Sequence, residues 1–463
     1  MRLPNLGLRT ATVARWCALL AVVVSPLVMR PLRSASTSIA AQRTRRPDSL
    51  PYRDPIARLQ AQLNNGTLTL THDSAHGYLA SLLRALEIPV SSQGLVFSRT
   101  SLQTDKIAPW TPRALYFSDD VYIGFVQESS FLEVAAMDPV RGAVFYTLSQ
   151  EPRGRPSFSR ETTTCLMCHQ SRAATGGVPG LMVLSTISDR FGYPIVGVHE
   201  GVTTDATPIR QRFGGWYVTG THGDSASGGH SGNMYSPRLA HEVSDKQAYR
   251  TQFDATKESA RKDVSDKFDP SPYLSTQGDI VAMMVLVHQT IVHNLITTVH
   301  EAVQDVQLAG GPGSLDSVHF PPAPDAHAKS PSTVRLQGAI DRLVKALIFT
   351  DEAPLRGAMR GTTSFADDFS QRGPRDHLGR SLRDFDLGTR LFKYPLSFLV
   401  YSDGVTSLPK PVRHEIYRQL DLALRHVGGA TPSRVSEADR ETTAAILTET
   451  SPDFRAYRAM RAK

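Results

Sequence analysis

Cys165-Leu166-Met167-Cys168-His169 sets two thiols three residues apart and an imidazole directly after the second. At this spacing each thiol can add across a vinyl group of a haem, and the imidazole can reach the iron from one face. A C-x-x-C pair has two other uses: reversible dithiol exchange, and half of a zinc site completed by distant histidines. Zinc usually needs four N or S ligands from two such pairs, and the chain holds no second C-x-x-C. Its third cysteine, Cys17, lies in an apolar N-terminal stretch, so the rest of the chain keeps its cysteines for the motif. Nothing ahead of Cys165 reads as the strand-to-helix context of a redox dithiol. The expectation is one covalent haem on Cys165 and Cys168, with His169 as proximal ligand.

The residue on the other face of the iron decides between a carrier and an enzyme. A filled sixth position suits outer-sphere electron transfer, and an open one admits peroxide, oxygen or nitrogen oxides. The glycine-rich loop 220–234 offers His222, His230 and Met234, with His230 the first choice and Met234 the second. Glycine there permits a close approach to a flat macrocycle. An apolar helix offers His288, with Met283 and Met284 nearby, and a hairpin offers Met182 and His199. Each has an ordinary alternative: a surface or satisfied core histidine, or methionine as core filler. Arg172, Arg210 and Arg212 could pair with haem propionates or be plain surface cations. Trp216, Tyr217, Phe191 and Tyr193 could pack on the porphyrin or fill a β core.

These residues need elements to hold them. Residues 1–46 carry eight arginines and no acid, and Trp16–Met29 is uncharged. Fourteen such residues are short for a membrane span and suit a signal-peptide core, with Ser38-Ile39-Ala40 as cleavage site. An uncleaved N-terminal membrane anchor is the alternative. Residues 1–40 are therefore read as export signal or anchor, placing the protein in the periplasm or on the outer face of the cytoplasmic membrane. Setting those eight arginines aside leaves 43 basic against 44 acidic residues, so the formal charge of +7 is a property of the N-terminus. Near-neutrality offers no basic stripe for nucleic acid.

Residues 41–72 read as a tether. A haem-bearing α+β domain follows over 73–308. It opens with a helix through Leu79, Leu82, Leu83 and Leu86, capped by Asp73 or Ser74 and stopped by Pro89. A β-meander comes next: Leu95–Phe97, Ala114–Phe117, Val121–Val126, Phe131–Val134 and Ala143–Leu148, with turns at Ser118–Asp120 and Asp138–Gly142. Beyond the motif, Leu181–Ile187 and Tyr193–Val198 form a hairpin candidate, with Pro194 confined to an edge, and Trp216–Thr219 a short strand. Ile280–Ile296 is apolar on nearly every side and predicts a buried helix. Residues 309–333 are a Pro/Gly-rich linker or loop. Residues 334–463 are mostly helical, with stripes at Leu336–Ile348 and at Val412, Ile416, Leu420 and Leu424.

The motif Cys165–His169 resembles the attachment sequence of c-type cytochromes. More broadly the chain resembles exported bacterial proteins with a cytochrome c domain. The likeness covers the five-residue motif; the β-rich surroundings argue against the small all-α cytochrome c fold. It implies haem c, a redox partner protein or a small-molecule electron donor or acceptor, and electron transfer. A haem enzyme with an open distal site, peroxidase- or oxidoreductase-like, is the alternative, because a simple carrier does not require more than 400 residues. A haem-bearing sensor module is the third reading.

Overall fold

The computed structural model describes residues 51–189, 191–194, 200–221, 262–311, 314–315, 320, 330–425 and 435–461, without the side chains at 200 and 210. The protein is α+β: an antiparallel sheet region precedes a mostly helical C-terminal part. The strands are β1 (Gly94–Val96), β2 (Arg113–Phe117), β3 (Val121–Phe125), β4 (Phe131–Asp138), β5 (Gly142–Ser149), β6 (Phe158–Glu161), β7 (Leu184–Thr186), β8 (Glu200–Val202) and β9 (Trp216–Tyr217). Seven of them form one sheet in the order β6-β5-β4-β3-β2-β1-β9. Short turns impose the meander. At the β4–β5 turn, Asp138 Oδ1 accepts the amides of Val140 and Arg141, and Gly142 takes a φ of 80°. β9 arrives from far along the chain to pair with β1, while β7 and β8 pair separately.

The helices are α1 (Pro55–Asn65), α2 (Leu79–Ala85), α3 (Thr164–His169), α4 (Arg172–Thr175), α5 (Ile280–Gly310), α6 (Pro331–Leu347), α7 (Phe365–Ser370), α8 (Asp403–Thr406), α9 (Lys410–Leu424), α10 (Glu437–Thr450) and α11 (Pro452–Arg461). α5 is the axis of the molecule. It starts on Asp279, whose Oδ1 accepts the amides of Val281 and Ala282, and whose Oδ2 takes the amides of Thr362 and Thr363. α5 is long and apolar enough to cross a membrane, but 89% of its most apolar window is buried within the protein. It packs on β5 and on α6, whose stripe from Leu336 to Leu347 is buried as read from the sequence.

Several expectations change. Part of the tether is α1, a capped helix whose Ile56, Leu59 and Leu63 are buried. Asp54 caps it by accepting the amides of Ile56 and Ala57, and its other oxygen accepts the Tyr146 hydroxyl of β5 at 2.8 Å. Asp73 does not cap α2; it closes a turn onto Ala75 and His76. The hairpin around Asp189 pairs Leu184–Thr186 with Glu200–Val202, and Ser188 bridges Pro194; residues 195–199 lie outside the described set. The break at 309–333 is not a core boundary, because one apolar cluster runs from Ile56 to Tyr457. The proposed export signal lies outside the described residues.

Candidate haem-attachment site

β6 stands at the edge of the large sheet and leads within three residues into α3. A strand does therefore precede Cys165, contrary to the sequence reading. Phe158-Ser159-Arg160-Glu161 hid it, since an edge strand with half-buried ends and an exposed middle carries no apolar alternation. In α3 the residues Cys165, Cys168 and His169 stand at i, i+3 and i+4, which is one face of a helix. Cys165 is half-buried, Cys168 is exposed, and Met167 is 60% exposed. No residue of α3 is fully buried.

Dithiol exchange needs a thiolate of lowered pKa. Burial pushes the Cys165 thiol up to about 11, with Glu161 and Glu133 adding to it and Arg113 opposing. That environment does not suit a thiol that must attack and leave in dithiol exchange.

His169 is held at three points. The Gly180 amide donates to the His169 carbonyl at 2.8 Å, and His169 Nδ1 lies 2.9 Å from the Gly180 carbonyl. Its ring sits against Phe145 with centroids 4.7 Å apart. A carbonyl only accepts, so Nδ1 carries the proton and Nε2 keeps its lone pair. Burial, with the Arg113 cation, holds the imidazole below its ordinary pKa against the pull of the Gly180 bond, which favours the neutral, ligand-competent form. A metal-bound histidine is oriented in this way through its other nitrogen.

Arg113 and Glu133 form an ion pair at 2.7 Å and act electrostatically on both Cys165 and His169. The guanidinium lies over Gly124, where a Cβ would come within 2.4 Å of it, and its buried Nε has no hydrogen-bond partner. Cation, oriented imidazole and paired thiols are a donor set that fits a covalent haem. No group of three or more His, Cys, Asp or Glu among the described residues could hold a metal ion by itself. His222, His230, Met234 and His199 lie outside the described residues, and Met182 is half-buried.

His288 is corrected. Its Nδ1 donates to Asp205 Oδ2 at 2.8 Å and its Nε2 accepts the Ser397 hydroxyl at 2.7 Å, so both ring nitrogens are spent. Phe349 stacks on the ring at 4.3 Å between centroids. The order Ser–His–Asp matches a hydrolytic triad in connectivity. Ser397 and His288 are nevertheless fully buried, and the Ser397 oxygen also takes the Leu399 amide. The network works as a lock between the loop at 205, α5 and the C-terminal part.

Arg212 is likewise buried, donating to the carbonyls of Thr207 and Asp205, which removes it from the propionate candidates. Arg172 is exposed on α4. Met283 and Met284 are core filler, Met283 packing beside Gly94. Trp216 donates to the Leu184 carbonyl and Tyr217 to that of Pro109, so both serve the β core. Phe191 and Tyr193 stay exposed by about two fifths. The sequence reading missed Gly180, Asn294, Arg113 and Glu133, which lie far from the motif in sequence or carry no motif of their own. Protein-family models, curated proteins and solved structures were each compared with this chain, and none matches it.

Proposed function

We propose that this chain is an exported mono-haem protein of the c type that transfers electrons. Cys165 and Cys168 would hold the haem through thioethers, and His169 would bind the iron through Nε2. The observation that carries this reading is the bond from His169 Nδ1 to the Gly180 carbonyl at the end of the C-x-x-C-H helix. It sets the tautomer and leaves Nε2 as the ligand atom. When bound, the haem supplies a one-electron couple. The protein's own part is to orient the imidazole, to keep a charge pair, Arg113 and Glu133, beside it, and to hold the thiols on an accessible helix. The arginine-rich, acid-free residues 1–46, with the uncharged run Trp16–Met29 inside them and small residues after it, support a location in the periplasm or on the outer face of the cytoplasmic membrane.

With His288 spent elsewhere, His230 and Met234 remain the leading candidates for the sixth position, and an open position remains the second reading. The test is expression in a host able to ligate haem, followed by intact mass and absorption spectra. The expected result is the mass of one haem added to the chain, lost in Cys165→Ser/Cys168→Ser, with low-spin bands in both oxidation states. Bare polypeptide alone overturns the haem reading. Covalent haem whose spectrum shifts fully with carbon monoxide or cyanide overturns the carrier in favour of the enzyme.

A further inference from the structure

We propose that Asn294, on the core helix α5, is a positioning residue for the iron-binding imidazole of His169. The inference rests on the haem reading and adds the element that aims the ligand. Asn294 is buried, and its amide grips the peptide of Leu181 on both sides: Oδ1 accepts the Leu181 amide at 2.8 Å and Nδ2 donates to the Leu181 carbonyl at 2.7 Å. The neighbouring residue is Gly180, whose amide and carbonyl both bond to His169. Gly180 makes the approach possible, because a Cβ there would stand 2.2 Å from Asn294 Oδ1.

The same short segment is fixed from a third direction, where the Ala143 amide of β5 donates to the Pro179 carbonyl at 3.1 Å. α5 in turn is anchored to the sheet. Gln289 donates to the Ser118 carbonyl and the Tyr122 hydroxyl, and His293 to the Asp119 carbonyl. A rigid path thus runs from the core helix through Asn294 and the 180–181 peptides to the ring of His169. A side-chain amide is suited to this task, since it matches a peptide donor for acceptor and costs no buried charge.

The test has two arms. In the first, wild type, Asn294→Leu and Gly180→Ala are made with covalent haem, and the reduction potential is measured. Weakening the Nδ1–H bond lowers the ligand strength of the imidazole. The ferric/ferrous equilibrium should shift toward ferrous by several-fold, up to about tenfold, which is about 59 mV for one electron. His300→Leu is the control: it removes a buried polar group of the same helix that bonds the Gly404 carbonyl and has no place in this path, and the potential should stay put even if stability falls.

In the second arm, the haem-free Cys165→Ser/Cys168→Ser chain is labelled with ¹⁵N-histidine. His169 should show the Nδ1–H tautomer, and Asn294→Leu should convert it to a mixture. An unchanged tautomer in Asn294→Leu, or a potential that moves no more than in His300→Leu, overturns the proposal. A changed tautomer in a chain that never acquires haem supports the positioning role while discarding the haem reading.

Discussion

At residue scale, the chemistry rests on groups whose second atom is as well placed as the first. His169 offers Nε2 because Nδ1 is occupied, and His288 offers nothing because both nitrogens are. His288→Ala should cost about 3–5 kcal/mol in urea unfolding, since it leaves the Asp205 carboxylate beneath the surface without its partner; a loss under about 1 kcal/mol would refute the lock. Asp120 gives a pH prediction. Burial, with Asp119 and Asp403 nearby, pushes its carboxyl from 3.8 up to about 7. The folded form therefore holds a proton that the unfolded form releases, and the stability contributed by Asp120 falls as pH rises through that window. Asp120→Asn, which cannot ionise, should gain on wild type between pH 5 and pH 8 by on the order of 1–3 kcal/mol. Thermal midpoints at the two pH values check it, and an equal difference at both would refute it. The motif was legible because its five residues are contiguous. Asp205, His288 and Ser397 were not, being separated by 83 and 109 residues, and only folding brings them together.

At element scale, sequence signals were readable in proportion to how completely an element buries one face. The stripe of α6 is regular, and Leu343 within it is fully buried. Leu343→Ala should cost about 2–5 kcal/mol, whereas Val334→Ala on the same helix, where the side chain is 53% exposed, should stay within about 0.5 kcal/mol. Equal losses at the two positions, measured by denaturant titration, would contradict the packing. The strands from β2 to β5 followed their apolar runs within one residue at most boundaries; β4 extends past Val134 to Asp138. β6 was missed because it is an edge of polar residues. α1 was missed because three apolar residues are few, although Asp54 followed by Pro55 is the cap-and-start pair of a helix.

At the scale of the whole molecule, the sequence suggested lobes joined by a linker, and one continuous core is what forms. The helices on either side of residues 309–333, α5 and α6, pack on one another. Calorimetry of the protein should show a single cooperative transition, with the β-rich and helical parts melting together; two resolved transitions would restore the divided picture. Helix α3, by contrast, adds nothing fully buried to this core. On the haem reading, the chain is therefore expected to reach its architecture before the macrocycle is added. Small cofactor-bound folds often need their ligand as a keystone, but here the macrocycle would be mounted on a finished building. The Cys165→Ser/Cys168→Ser chain should keep its far-UV circular dichroism and melt within about 5 °C of the haem-loaded one, so synthesis and loading can be separated in time without the polypeptide being lost in between.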